Sequence, residues 1–216
     1  MVLTRKTTII ALLVTVSVVS AGIIVGSIMA QGGTNLKEAL DPKDGDAEVV
    51  ATVQGLDVKR GDIRRGADFW ITMDPTTTEE AAINKSIVVV IDRFIAEAEV
   101  KRRELTPTAE EVKEYMSPHR ETCLASAECV EIIEGLGFDP DDDEYWEDIG
   151  LPQYGRSLGE IKLFRAVVEE KGLTDADNDT LAALRSTMIS ELRDGATIVW
   201  HDEDLKEAYN RALPSE

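Results

Sequence analysis

The 216-residue chain is 43% hydrophobic and 30% charged, enough apolar material for a buried domain under a highly ionic surface and too much for global disorder. Its formal net charge is −19, and because residues 1–30 carry only Arg5 and Lys6, the remainder sums to −21. A field of that sign repels nucleic acid and attracts basic or unfolded cationic segments, although its plainest reading is a well-solvated surface.

The chain opens with no charged side chain between Thr7 and Leu36, and Thr7–Ala30 is an apolar run of 24 residues. A helix needs about 20 residues to cross the hydrocarbon, whereas the apolar part of a secretory signal is usually about 7–15. Cleavage beyond Ala30 would use a site with Ile28 where a small residue is favoured, and no cysteine nearby offers a lipoprotein anchor. The expectation is a cytoplasmic tip and transmembrane signal anchor over 1–30, seated in the bilayer through residues 7–30, with Arg5 and Lys6 holding the tip inside. Signal-peptide cleavage and secretion is the alternative. Either route exports the rest of the chain.

Residues 31–46 combine glycine, proline and charge and read as a linker. A strand pattern over Glu48–Gln54 precedes a Gln54-Gly55 turn and a short return strand at Asp57-Val58. Asp62 is expected to cap a helix through Phe69 and Trp70. Thr76 with Glu79 and Thr77 with Glu80 fit capping boxes for the strongest helix, whose Ile83, Ile87, Val90, Ile91, Phe94, Ile95 and Ala98 recur at helical spacing. Thr108 with Glu111 repeats the box before a helix through Met116, after which Pro118 is expected to break the helix or to start a new one capped by Ser117. Asp139-Pro140 is another start signal, ahead of Tyr145 and Trp146. A long helix follows with Tyr154, Leu158, Ile161, Phe164 and Val168 on one face and Gly172 as its stop. Thr174 begins the next helix, Ala196–Trp200 reads as a strand, and Asp204–Leu213 as a terminal helix. Two lone strands would each leave backbone groups unpaired, so Val49–Gln54 and Ala196–Trp200 are expected to pair and close a mainly α domain over 47–216 with a small β-sheet.

With Val50-Ala-Thr-Val-Gln-Gly55 at the entry, Leu105-Thr-Pro-Thr-Ala-Glu-Glu-Val112 after the long helix and Leu192-Arg-Asp-Gly-Ala-Thr-Ile198 at the close, the segments in this order resemble the SurA N-terminal domain family of SurA/PrsA-type extracytoplasmic chaperones. Val50-Ala-Thr-Val-Gln-Gly55, with Val58 and Asp62, is similar to the family's strand–turn–strand–helix entry, with Gln54 in place of the usual asparagine. Glu97-Ala-Glu-Val-Lys-Arg102 and Leu105-Thr-Pro-Thr-Ala-Glu-Glu-Val112 resemble the next passage, with Arg102-Arg103 where glycine is common. Leu136-Gly137, Tyr145-Trp146-Glu147 and Leu192-Arg-Asp-Gly-Ala-Thr-Ile198 continue the match over roughly 47–205. The resemblance implies an ATP-independent module that binds unfolded or newly exported polypeptides. The parvulin domain of such foldases has no room between the last helices, where only Leu173–Thr180 intervenes, so prolyl isomerase activity is not expected.

Cys123 and Cys129 are the only cysteines. In one straight helix they would lie about 9 Å apart on different faces. A turn within Leu124–Glu128 makes a disulfide feasible, and export favours it. The acidic clusters Asp139, Asp141–Asp143, Glu144, Glu147, Asp148 and Asp175, Asp177, Asp179 lack the glycine and glutamate of a calcium loop and read as helix N-terminal acids. No metal site, cofactor or catalytic arrangement is expected, and the chain does not read as an enzyme. Phe69, Trp70, Met73, Trp146 and Tyr154 are the candidate client-binding side chains, against ordinary core packing for any one of them. A tethered adaptor for one folded partner is the alternative function.

Overall fold

The computed structural model describes residues 42–135 and 137–213. The expected membrane-spanning run and most of the linker lie outside the described residues, among which no helix is long and apolar enough to cross a membrane. The described residues form seven α-helices and one small sheet, in the order β1 (Val49–Val53), β2 (Leu56–Lys59), α1 (Arg60–Met73), α2 (Glu79–Arg102), α3 (Ala109–Leu124), α4 (Ala127–Gly135), α5 (Leu151–Glu170), α6 (Asn178–Asp194), β3 (Ile198–Trp200) and α7 (Glu203–Ala212). They divide into two compact units: a corner unit, Pro107–Ile161, and a sheet unit of residues 42–106 and 162–213.

The sheet unit begins with a two-residue hairpin in which Gln54 (φ 49°) and Gly55 (φ 84°) both take positive φ, as a type I′ turn requires. Its third strand comes from the other end of the chain. β3 pairs antiparallel with β1 in the register Ala51↔Trp200 and Val53↔Ile198, giving the order β2-β1-β3. The expected pairing of the two terminal strands is therefore present. Strict alternation along β1 is not: a register shift between Val49 and Ala51 lets Val50 and Ala51 both face inward.

α2 is the axis of this unit and packs against α1, α6, α7 and both hairpin strands. Its core with the sheet consists of Val50, Val53, Val58, Ile63, Ile87, Ile91, Ile95 and Tyr209 among others. The α1–α2 crossing is as close as it is because residue 66 is glycine: a Cβ there would collide with Ser86, whose buried hydroxyl donates to the Ile63 carbonyl at 2.7 Å. Around the core, charges tie distant elements together. Arg193 of α6 grips Asp92 of α2 with two bonds of 2.9 and 2.6 Å, Arg60 reaches Asp202 at 2.7 Å, and Arg103 bonds both Glu99 and Glu170. The last residues assigned to the linker join in: Asp46 accepts two bonds from Arg64, at 2.9 and 2.7 Å.

Several helix starts differ from the expectation, each for a local reason. Lys59, not Asp62, is the N-cap of α1; Asp62 sits three residues on and accepts the Lys59 N–H at 3.1 Å. Thr78 caps α2 through the Ala81 N–H, because the Asp74 carboxylate already holds Thr76 through its N–H at 3.0 Å and its hydroxyl at 2.6 Å. The Thr108–Glu111 capping box forms in both directions. Helix α3 then runs through Pro118 to Leu124 rather than ending near Met116. Pro118 and Glu114 are both exposed, so the proline ring and the bond it cannot make lie on the solvent side of the helix rather than in the core. Asp177, not Thr174, caps α6 by accepting the Thr180 N–H at 2.8 Å.

Candidate functional site

The corner unit is built on a sharp change of direction. α3 ends at Leu124 and α4 starts at Ala127, so the turn falls inside the interval between the cysteines. Cys123 and Cys129 are brought together as a disulfide across this turn, with their Cα atoms 5.2 Å apart.

α4 ends in a Schellman motif. The Gly137 N–H donates to the Glu134 carbonyl and the Phe138 N–H to that of Ile133, with Gly137 at φ 88°. A side chain at residue 137 would resist that φ, so this glycine is what turns the chain and swings Phe138 back over α4. Phe138 joins Met116, Ile133 and Trp146 in a small buried cluster flanked by Tyr145, Ile149, Leu151 and Tyr154. The loop beyond is fastened at several points. Asp139 accepts the Asp141 N–H at 2.9 Å, and the Trp146 indole N–H reaches the Pro140 carbonyl at 3.4 Å. Arg120 lies 5.4 Å above the Trp146 ring while bonding Asp143 at 2.6 Å. The Asp139-Pro140 start signal acts late: helical structure begins at Glu144 and passes through a π-helical stretch, Trp146–Gly150, into α5.

Between the corner and this loop lies an open cleft of about 670 Å³. Leu124, Val130, Phe138 and Pro140 supply its apolar surface, and Glu134, Asp139 and Asp141 its carboxylates. It adjoins the disulfide in sequence on both sides, since Leu124 and Val130 each follow a bonded cysteine. Around it the charge is one-sided. Pro107–Ile161 holds fifteen acidic and three basic side chains, against 24 and 17 in the described residues of the sheet unit.

The client-binding candidates are distributed over both units. Phe69 and Trp70 are half-buried on α1, edge to face at 5.5 Å, with the Lys85 ammonium 5.3 Å from the Trp70 ring. Nothing is described of the Met73 side chain. Trp146 is 3% exposed and belongs to the corner core, so in this conformation it serves packing rather than a surface. Tyr154 is half-buried in an aromatic group with Tyr115 and His119, stacked on the imidazole at 5.4 Å. Burial pushes the Tyr154 phenol up to about 12, raises that of Tyr145, and lowers the His119 imidazole. All three shifts favour neutral forms, which suits packing.

None of Leu124, Val130, Phe138 and Pro140 is among the candidate binding residues, although Pro140 and Leu124 fall in an expected helix start and an expected turn. The signal was present in Gly137-Phe138, a helix-stop glycine followed by a large apolar residue. Among the described residues, no group of three or more His, Cys, Asp or Glu is arranged to hold a metal ion. No family model, curated protein or solved structure matches the chain.

Proposed function

We propose that this chain is a membrane-anchored, extracytoplasmic, ATP-independent chaperone-like protein that holds unfolded or newly exported polypeptides and lacks prolyl isomerase activity. The observation that carries this reading is the open cleft at the corner, where Leu124, Val130, Phe138 and Pro140 stand among carboxylates on a surface that is more polar than apolar. A cleft of that kind takes apolar side chains from an extended chain without a deep or sequence-specific pocket. The paired cysteines support an oxidising compartment, where disulfides persist. The element order supports kinship with the SurA N-terminal family: a hairpin, a long central helix, and a last strand returning to the first.

The adaptor reading draws on a separate feature, the one-sided charge of the corner unit, which would suit a single basic partner. The two are separated by following the aggregation of a chemically unfolded client with the full chain in nanodiscs of neutral phosphatidylcholine, against empty discs. Suppression that persists as salt is raised is expected for apolar capture. If clients aggregate as fast as with empty discs, the chaperone reading fails and the adaptor takes its place.

A further inference from the structure

We propose that the corner cleft selects basic segments: extended stretches in which one aliphatic or aromatic side chain is flanked by lysine or arginine. This rests on the polypeptide-holding reading and narrows it to a class of client. Charge complementarity carries the argument. The cleft sets Leu124, Val130 and Phe138 beside Glu134, Asp139 and Asp141, so an apolar anchor on the surface brings its neighbours against carboxylates. The unit cannot neutralise those carboxylates itself, because three basic side chains face fifteen acidic ones between Pro107 and Ile161. One of the three, Arg120, is already committed to Asp143 and the Trp146 face.

Two further features favour a cationic occupant over a neutral one. Glu134, Asp139 and Asp141 are all exposed, so a lysine or arginine reaches them without burying its own charge. The position of the Asp139 carboxylate is also set in advance. Gly137 fixes the exit from α4, Asp139 is locked to the Asp141 N–H, and the indole of Trp146 holds Pro140. A preformed cleft spends little ordering entropy on binding. The charge is concentrated here rather than spread evenly, whereas a purely solvating surface gives no reason for the corner unit to hold so few cations.

The test uses the full chain in neutral phosphatidylcholine nanodiscs and three fluorescein-labelled peptides of equal length. One alternates leucine with lysine, one leucine with glutamate, and one serine with lysine. The leucine–lysine peptide is expected to bind at least about tenfold more tightly than either other. A Glu134→Gln, Asp139→Asn, Asp141→Asn variant should bind it about tenfold more weakly and with a shallower salt dependence. The Asp139→Asn change keeps a side-chain oxygen to accept the Asp141 N–H, so the loop is preserved. The control variant Glu110→Gln, Glu114→Gln, Glu121→Gln removes the same charge from exposed positions of α3 and should stay within about twofold, which separates a local cleft from a general field.

Equal loss in both variants overturns the proposal in favour of the overall field. Equal binding of the leucine–lysine and leucine–glutamate peptides overturns it while leaving general polypeptide holding intact. Equal binding of the leucine–lysine and serine–lysine peptides removes the apolar anchor and overturns it too. If no peptide binds but unfolded clients are still held, the holding surface lies elsewhere and only this inference fails. If neither occurs, the underlying reading fails with it.

Discussion

The sheet unit and the corner unit are both made of amphipathic helices, yet they are held together in opposite ways. In the sheet unit, elements far apart in the chain are interlocked: β1 with β3, Arg193 with Asp92, Arg60 with Asp202. In the corner unit the ties reach less far along the chain, from a disulfide six residues apart and a Schellman turn to Arg120 holding Asp143 across 23 residues, against 101 for Arg193–Asp92 and 142 for Arg60–Asp202. Charge follows the same division. With 24 acidic and 17 basic side chains, the sheet unit can use most of its cations as struts, whereas fifteen against three leaves the corner unit a negative field. The lesson is that a net charge of −19 is two different things in one chain: a framework where partners exist and an unneutralised surface where they do not.

The largest expected effect comes from the cores. Ile87 in the sheet unit and Ile133 in the corner unit are both fully buried. Ile87→Ala should cost about 3–4 kcal/mol and Ile133→Ala about 2–3, since a smaller cluster is better able to collapse onto the lost volume. Denaturant unfolding read by circular dichroism, with hydrogen exchange assigning the loss to segments, measures both. A larger cost at Ile133 would break the contrast. Next is Cys123→Ser with Cys129→Ser, which releases a short closed loop worth about 2 kcal/mol. Exchange should rise in α4 and the end of α3 and stay unchanged in α2. A uniform rise would mean that the two units unfold as one.

Acid should divide the units by sign. Bonds from Arg102, followed by Arg103, outweigh desolvation and hold the Glu99 carboxyl down to about 2, and the Arg64 guanidinium with the Lys43 N–H holds Asp46 far below its ordinary value. Depressed folded-state values stabilise above the unfolded ones, so this contribution is complete at neutral pH. It is lost as pH falls from about 4.5 toward 2 for Glu99, the span between its ordinary and folded values. The corner unit, with fifteen acidic and three basic side chains, holds repulsion rather than such ion pairs for acid to remove. Segment-resolved thermal unfolding at two acidic pH values should find the sheet unit weakened first; the reverse order would contradict the assignment of charges as struts and field.

Much of the fold was legible where one physical requirement acted alone. Unpaired backbone forced β1 to find β3, and the reciprocal bonds of Thr108 and Glu111 were readable as a capping box. The reading failed where neighbours competed. Three consecutive threonines precede α2, and Thr78 won because Asp74 had taken Thr76. Pro118 looked like a stop because sequence does not say that Glu114 and Pro118 lie on the exposed side of the helix. At the site, Trp146 was chosen for its ring alone, and its burial depends on Phe138 returning over α4. The cleft was invisible for the same reason: it is assembled by a turn, and a helix-stop glycine does not announce what the following residue will cover.

The smallest effect is the most local. Gln54 (φ 49°) and Glu104 (φ 59°) are the non-glycine residues of the described structure at positive φ. Both serve turns in the sheet unit, and the second closes α2: the Leu105 N–H donates to the Val100 carbonyl and that of Glu104 to Lys101. Left-handed backbone costs an L-residue about 1–2 kcal/mol, and glycine returns part of the gain, about 0.5–1 kcal/mol, through its freer unfolded state. Glu104→Gly should therefore stabilise by roughly 0.5–1 kcal/mol, while Glu104→Ala, which keeps the Cβ, should not. Gln54→Asn should act in the same direction by less, because asparagine tolerates this region without losing its side chain. Because each turn is local to the sheet unit, exchange should slow in α2 and the hairpin while α4 stays as it was. A gain from alanine equal to that from glycine would locate the effect in the removed carboxylate, and the sheet unit would then carry surplus negative charge of the kind assigned here to the corner.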